Sequence, residues 1–150
     1  METLVRTPET VNFGRLNTAP GFLLRLAQLR VYEQFFSEVG EHGLKPGEFS
    51  VLWVIRNNPG IRQSILGQSL MIKRAHMTKL IRALEDQGLL YRNIPDEDRR
   101  AVELTLTAKG QEEADIASEW FFAYEEGIAG ALTQSERDQL LVLLRKFIGI

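Results

Sequence analysis

The chain has 150 residues, of which 44% are hydrophobic, 25% charged and 9% aromatic, and its formal net charge is −2. This composition is typical of one globular domain with enough apolar residues for a core, which argues against extensive disorder. The sequence has no Cys, no long uncharged apolar run and no basic start followed by an apolar stretch. We therefore expect a cytoplasmic protein without disulfides, thiolate chemistry, membrane span or signal peptide.

Charge is unevenly distributed along the chain. Residues 1–61 are neutral, with six Lys or Arg and six Glu, whereas residues 62–100 hold eight basic and five acidic residues, a net +3. Residues 101–150 hold four basic and nine acidic residues, a net −5. A basic segment on an acidic scaffold favours binding of a polyanion, although three excess charges are a weak signal by themselves.

The first part of the chain is predicted to be helical. Residues 1–20 show no clear period and are interpreted as an arm or a short extra helix. Apolar residues then recur every three or four positions from 21 to about 41, which predicts an amphipathic helix. Pro46 favours the start of a second helix, which Asn57-Asn58-Pro59-Gly60 would end.

The middle of the chain combines short helices with two strands. Helices are predicted over 63–69 and 74–87, and Gly88 suits the left-handed residue that closes the second of them. Two strands, 89–94 and 101–106, follow on either side of a polar hairpin tip at 95–100. This order predicts a mainly α protein with a winged helix-turn-helix domain over residues 46–106.

Two further helices are predicted at the C-terminal end. Thr107 can cap a helix to about Gly127, and Thr133 followed by Glu136 is the pattern of a capping box. These helices and the first one carry more apolar residues than the small central domain can cover. We therefore expect segments 21–45 and 107–150 to form a homodimerisation region.

The helix over 74–87 is a candidate for reading DNA. A step of about 100° per residue places Met77, Ile81 and Leu84 on one side and Lys79 and Arg82 on the opposite side. Cations near the N-terminal end of such a helix suit contacts with bases and phosphates. An ordinary solvated helix face would show the same pattern.

The hairpin tip is a second candidate. Arg99 and Arg100 follow three acidic residues, Asp96, Glu97 and Asp98. Arg at a wing tip can enter a minor groove, and a neighbouring carboxylate can hold its guanidinium in place. A polar turn that keeps the hairpin soluble is the alternative. A metal site is not expected, because no His or further carboxylate joins the three acids at ligand spacing.

Enzymatic activity has no support in the sequence. The two histidines, His42 and His76, form no recognisable acid–base pair, and there is no nucleophile elbow, phosphate-binding Gly loop or zinc-binding helix motif. We therefore predict neither catalytic residues nor a cofactor. Trp53, Trp120 and Phe121 have the spacing of core residues, although they could also line a ligand pocket.

Three short motifs give the chain a family resemblance. In order they are Leu84-Glu85-x-x-Gly88-Leu89, Asp98-Arg99-Arg100 and Leu106-Thr107-x-x-Gly110. With these motifs the chain resembles the MarR family of bacterial transcriptional regulators over about residues 21–148. Residues 1–20 lie outside the resemblance.

The resemblance implies a dimeric winged-helix regulator, often a repressor, that binds a pseudo-palindromic operator in double-stranded DNA. Helix 74–87 would enter the major groove and the 95–100 tip the minor groove, with Asp98 holding an Arg. Arg100 would be the first choice for the groove and Arg99 the second. The predicted DNA-binding residues are Arg62, Gln63, Ser64, Lys73, Arg74, Ala75, His76, Thr78, Lys79, Arg82, Asp98, Arg99 and Arg100.

Three residues depart from the family pattern. Arg62 stands where a Ser or Thr helix cap is usual, Met71 where a turn Gly is common, and Lys73 where an Asp or Ser cap is usual. They predict a weaker start for helix 63–69, strain or another geometry in the turn, and added positive charge beside the DNA. The lack of Cys excludes the thiol-oxidation sensors within the family.

The family resemblance also suggests a small aromatic effector that releases the operator. Its pocket would lie between the dimerisation helices and the reading domain. The predicted pocket residues are Arg30, Phe36, His42, Phe49, Trp53, Trp120 and Phe121, with Arg30 or His42 holding an acidic group. A filled core without a cavity is the alternative at this place. A winged-helix protein–protein module and an enzyme remain the competing functions.

Overall fold

A computed structural model of the chain describes residues 7–39 and 44–150. These residues form two compact units, one ending at Val39 and the other beginning at Leu44. His42, a predicted pocket residue, lies outside the described residues. No described helix is long and apolar enough to cross a membrane.

The first unit consists of two short 3-10 helices, Pro8–Thr10 and Gly14–Thr18, and helix α1, Pro20–Val39. Helix α1 begins with Pro20, because a first-turn residue needs no amide donor and proline already has a helical φ. The aromatic rings of Phe13 and Phe22 lie 5.4 Å apart and pack the second 3-10 helix segment against α1. The described part of the segment interpreted as an arm therefore contains two short helical turns.

The second unit contains the predicted winged helix-turn-helix. Its helices are α2 Pro46–Asn57, α3 Gln63–Ser69 and α4 Arg74–Asp86, and its strands are β1 Ile61–Arg62, β2 Leu90–Asn93 and β3 Glu103–Leu106. The helices and the hairpin strands confirm the prediction, with both strands shorter than expected. Strand β1 was not predicted.

The three strands form an antiparallel sheet in the order β1-β3-β2. Leu104 of β3 lies opposite Ile61 on one side and Arg92 on the other, and Leu90 pairs with Leu106. The sheet therefore fixes the start of α3, which follows β1 directly, relative to both strands of the wing.

One apolar core lies between α2, α3, α4 and the sheet. Its members are Val51, Leu52, Ile55, Leu66, Met77, Ile81, Leu84, Leu89, Leu90, Leu104, Leu106 and Ala114. No polar or charged residue is buried among the residues that the structure describes. Because the periodic apolar residues of the helices pack in this core, one face of α4 is buried and the opposite face is exposed to solvent.

Helices α5, Ala108–Gly127, and α6, Gln134–Ile148, complete the second unit. The hydroxyl of Thr107 accepts a hydrogen bond from the amide of Gly110 at 3.0 Å, so Thr107 caps α5 as predicted. Thr133 and Glu136 form the predicted capping box of α6. Gly149 adopts φ 85° after α6, where a left-handed residue ends the helix.

Candidate nucleic-acid interface

Helix α4 presents a buried and an exposed face, as the sequence predicts. Met77, Ile81 and Leu84 are buried in the core. All predicted reading residues on this helix and its cap are exposed: Lys73, Arg74, Ala75, His76, Thr78, Lys79 and Arg82. The helix therefore offers its cations and hydrogen-bonding groups to solvent while its apolar face holds it rigidly in place.

The N-terminal end of α4 has no side-chain cap. Lys73 occupies the N-cap position and makes no side-chain hydrogen bond to the first turn. The first backbone amides of a helix lack partners within it and carry a partial positive charge. Together with Lys73 and Arg74, they create a local environment that favours phosphate oxygens.

The turn between α3 and α4 contains the predicted strain. Met71 has φ 53°, in the left-handed region that favours Gly, and its side chain is 92% exposed. Its amide donates to the carbonyl of Gln68, and the amide of Ile72 donates to the carbonyl of Gly67 at 2.9 Å. These two bonds are the Schellman arrangement that ends a helix, so the turn keeps the usual geometry and Met71 adopts the conformation usually given to Gly.

The wing joins β2 to β3 over residues 94–102, and Asp98 organises it. One carboxylate oxygen of Asp98 accepts the backbone amide of Arg100 at 3.1 Å, and the other lies 3.4 Å from the guanidinium of Arg62. The Arg that Asp98 contacts is therefore Arg62 at the start of α3. Arg99 lies 3.7 Å from Asp96 in a highly exposed pair.

A second ion pair joins α4 to the wing. The Nε of Arg92 on β2 donates to Glu85 on α4 at 2.9 Å, and this hydrogen bond and the Glu85 charge raise the pKa of Arg92. The sequence interpretation did not include this pair. The two residues are seven positions apart in different elements, and only the turn at Gly88 brings them together.

The first turn of α5 binds the end of α4. Thr107 Oγ1 donates to the carbonyl of Gly88 at 2.6 Å, and Lys109 Nζ donates to the carbonyl of Gln87 at 2.8 Å. The Thr107 amide donates to the carbonyl of Leu89 at 3.0 Å. Three successive carbonyls after α4 are therefore held by α5, which ties the reading helix to the C-terminal helices.

Ion pairs divide the basic residues into two groups. Within the described ranges, Arg56, Arg62, Arg92 and Arg99 each lie near a carboxylate. No described carboxylate lies within 4 Å of the second group, whose members are Lys73, Arg74, Lys79, Arg82 and Arg100. Among the basic residues of the winged helix-turn-helix, 46–106, the unpaired ones lie on α4, at its cap and at the wing, which matches the basic segment seen in the sequence.

Four of the predicted pocket residues lie in one aromatic cluster between α2 and α5. Phe49 stacks on Phe121 at 4.2 Å between ring centroids, and its ring lies 5.7 Å from Trp53 and 6.4 Å from Trp120. Phe122, which the sequence interpretation left out, packs edge-on against Trp53 at 5.4 Å. Phe49 is only 1% exposed, so the centre of this cluster is filled core.

Arg56 borders the aromatic cluster and was also missed. Its guanidinium lies over the Trp53 ring at 5.2 Å, and its Nε is 2.6 Å from Asp115 on α5. The N–H does not point at the carboxylate, so the contact is an ion pair and not a hydrogen bond. The cation that the structure places at this cluster is thus Arg56.

The open space near the cluster is small. A cavity of about 170 Å³ opens beside Trp120, between Leu44 and residues of α5. Glu113, Ile116 and Ala117 line the rest of it. Arg30 and Phe36, the other predicted pocket residues, are exposed residues of α1. No group of side chains that could hold a metal ion occurs among the described residues.

The fold and the basic face define a winged helix-turn-helix protein, and comparison with known proteins gives its family. A family model described as "MarR family" matches residues 44–102. A relative from Thauera aromatica, named as a putative transcriptional regulatory protein for the hcr operon, is 31% identical over 127 residues, which cover 84% of this chain and 76% of the relative.

Solved structures agree with the sequence match. The transcriptional repressor CouR bound to a 23-mer DNA duplex is 34% identical and superposes with a TM-score of 0.82, covering 92% of this chain and 98% of that chain. CouR bound to p-coumaroyl-CoA is 32% identical with a TM-score of 0.78, covering 92% and 97%. The chain belongs to the MarR family of transcriptional regulators, as the sequence motifs indicated.

Proposed function

We propose that the protein is a homodimeric repressor that binds a pseudo-palindromic operator and leaves it when a small aromatic effector binds. The observation that carries this proposal is the set of exposed, unpaired cations on α4 and the wing, opposite the buried stripe of Met77, Ile81 and Leu84. Helix α4 would lie in the major groove, and Arg100 would reach the adjacent minor groove.

The DNA-binding step is tested by selecting bound sequences from a random duplex pool and measuring affinity for the recovered site. Lys79→Ala or Arg82→Ala should weaken binding and relax preference at one position per half-site, by about 1–3 kcal/mol for a bidentate base contact. Arg100→Ala should weaken binding to all sequences and lower the salt slope by about one unit. Lys146→Ala, an exposed cation on α6, is the control and should bind like the parent.

The proposed DNA contacts would be refuted if all three variants bound like the parent. A parent protein that shows no salt-dependent DNA binding would instead favour the protein–protein module. Repression itself is measured by run-off transcription from a promoter that contains the selected site. The amount of transcript should fall as the protein is added and should fall less with the Arg82→Ala variant at the same concentration.

The dimer is proposed from the apolar surface of α6. None of its residues is buried by the rest of the described chain. Its large exposed apolar residues are Leu140, Leu141, Val142, Leu143, Phe147 and Ile148. A second copy of the chain would cover such a helix through a two-fold interface and would set half-sites about 10 bp apart. Sedimentation at micromolar concentration should give the mass of two chains, and a monomer would contradict the proposal.

The effector is proposed to be an aromatic acid or its thioester. CouR, to which the chain is similar, is described as binding p-coumaroyl-CoA. The supporting feature in this chain is the cavity beside Trp120, at the edge of the aromatic cluster. Its volume of about 170 Å³ is below the range of about 300–1,000 Å³ usual for small-molecule sites, so a ligand would need the cluster to open or would remain partly outside.

The effector would act by favouring a spacing of the two α4 helices that does not fit the operator. Its effect is limited by the difference between its affinities for the two states, typically about 1–3 kcal/mol. We would titrate p-coumarate and p-coumaroyl-CoA while following Trp fluorescence and operator affinity together. Operator affinity should fall by about 5–150-fold, and DNA should weaken effector binding by the same factor. Quenching without a change in operator affinity would refute this mechanism, and no response would favour a filled core.

A further inference from the structure

Arg62 does not behave like the other predicted DNA-binding residues. It occupies the N-cap position of α3 but makes no side-chain hydrogen bond to that helix. Its guanidinium instead donates to Asp98, 36 positions further along the chain, at 3.4 Å. Arg62, which stands in place of the usual cap, therefore contacts the wing and not its own helix.

Asp98 is fixed at the centre of the wing turn. Its amide donates to the carbonyl of Pro95 at 3.2 Å, and its carbonyl accepts the amide of Ala101 at 3.1 Å. One side-chain oxygen binds the amide of Arg100, which leaves the other for Arg62. A change in the position of the Asp98 carboxylate would therefore shift the backbone of Arg100.

Backbone pairing already holds the start of α3 beside the base of the wing. Arg62 of β1 pairs with Glu103 of β3, and the amide of Gln63 donates to the carbonyl of Val102 at 2.8 Å. This sheet contact fixes the base of the wing. The turn at 95–100 extends beyond it, and the Arg62–Asp98 pair is the ion pair that links this turn to the start of α3 within the described chain.

We propose that Arg62 is a positioning residue that sets the wing tip against the start of α3 and thereby directs Arg100 towards the DNA. The proposal rests on the DNA-binding function proposed above. Arg62 and Asp98 are half exposed, with 48% and 41% of their side chains accessible. Exposed ion pairs add little to folding stability, so loss of this pair should leave the urea midpoint unchanged and should lower DNA affinity only by about the few-fold that such a pair is worth.

The competing explanation is that Arg62 contacts a phosphate itself. The two explanations give opposite results for Asp98. If Arg62 binds phosphate directly, Asp98→Asn removes a negative charge near DNA and frees the guanidinium, while its amide oxygen can still accept the Arg100 amide, so affinity should stay constant or rise. If Arg62 positions the wing through Asp98, the same substitution should weaken binding although it removes a repulsive charge.

The experiment is a double-mutant cycle on the full-length protein with the selected operator. Arg62→Ala and Asp98→Asn should each weaken binding by about two- to fivefold, and the double variant should be no weaker than either single variant. Each should lower the salt slope by less than Arg100→Ala does, since the Arg100 cation is kept and only its position changes.

Two controls separate a positioning role from a loss of structure. Urea midpoints of the variants should equal that of the parent, and Asp96→Asn, which breaks only the exposed pair with Arg99, should not weaken DNA binding. Unchanged or tighter binding by Asp98→Asn, or losses that add in the double variant, would overturn the proposal. Failure of the parent to bind any DNA would instead refute the proposed function.

Discussion

The close approach of α5 to the residue after α4 gives a sharp test of how the reading helix is held. A Cβ added at Gly110 would overlap the carbonyl oxygen of Leu89 and would lie 2.8 Å from its carbonyl carbon and 3.2 Å from its Cα. These atoms are backbone, and Leu89 is anchored because its amide donates to Leu84 at 3.0 Å. Substitution Gly110→Ala can therefore be accommodated only by moving α5 away.

The expected loss of stability follows from what such a movement breaks. The Thr107 amide would lose its bond to Leu89, and the Thr107 hydroxyl would lose its bond to Gly88. Two hydrogen bonds at about 0.5–1.5 kcal/mol each and about 1–3 kcal/mol of overpacking outweigh the gain of about 1 kcal/mol from replacing Gly in a helix. We expect Gly110→Ala to lower the free energy of unfolding by about 3 kcal/mol.

Gly127 on the same helix provides a matched control. A Cβ added there would meet no atom within 4 Å, so Gly127→Ala should leave stability unchanged or raise it by up to about 1 kcal/mol. Both variants would be unfolded in urea at one fixed protein concentration and followed by circular dichroism. A Gly110→Ala midpoint equal to that of the parent would refute the reasoning, whereas loss of the cooperative transition would agree with it.

Two further predictions concern the turn before α4 and the start of α6. Met71→Gly should raise the free energy of unfolding by about 0.5–1 kcal/mol, because it relieves a left-handed conformation at an exposed residue. Gly60→Ala, at φ 81°, should lower the free energy of unfolding. Urea midpoints equal to that of the parent would contradict both expectations. The pKa of Glu136 is lowered from 4.5 by the amide and hydroxyl of Thr133, so its contribution to stability is present above the unfolded pKa and is lost as pH falls through the folded pKa. The stability difference between the parent and Glu136→Ala should therefore be constant near neutral pH and shrink below pH 4.5, and a pH-independent difference would count against the capping box.

The helices could be predicted because their signals are local. Pro46, Gly88 and the Thr133–Glu136 capping box mark boundaries within a few residues of sequence, and the structure places helix ends at each of them. Strand β1 has only two residues, too few to show an alternating pattern. It is defined by its pairing with β3, about forty positions away in sequence, so no local signal reveals it.

The candidate site also combines features that have a local sequence signal with contacts that have none. The exposed face of α4 follows from helical periodicity, which needs no knowledge of the rest of the fold. The contacts of Arg62, Arg92 and Arg56 depend on partners in other elements, and none of these pairs has a motif spacing. The aromatic cluster was predicted in part, because Phe49 and Phe121 each follow the apolar spacing of their own helix. The neighbouring Phe122 was overlooked.

The three departures from the family pattern all lie at the ends of α3 and α4. Arg62 gives up a side-chain cap and gains Asp98, Met71 adopts a strained φ of 53°, and Lys73 leaves the first turn of α4 without a side-chain acceptor. A missing cap typically costs about 0.5–2 kcal/mol and a left-handed non-Gly residue about 1–2 kcal/mol, so each departure lowers local stability. Local rules are most often broken where function imposes other requirements. Lys73 places a cation at the uncapped N-terminal end of α4, which supports a surface adapted to phosphate, whereas Arg62 exchanges its cap for the contact with Asp98.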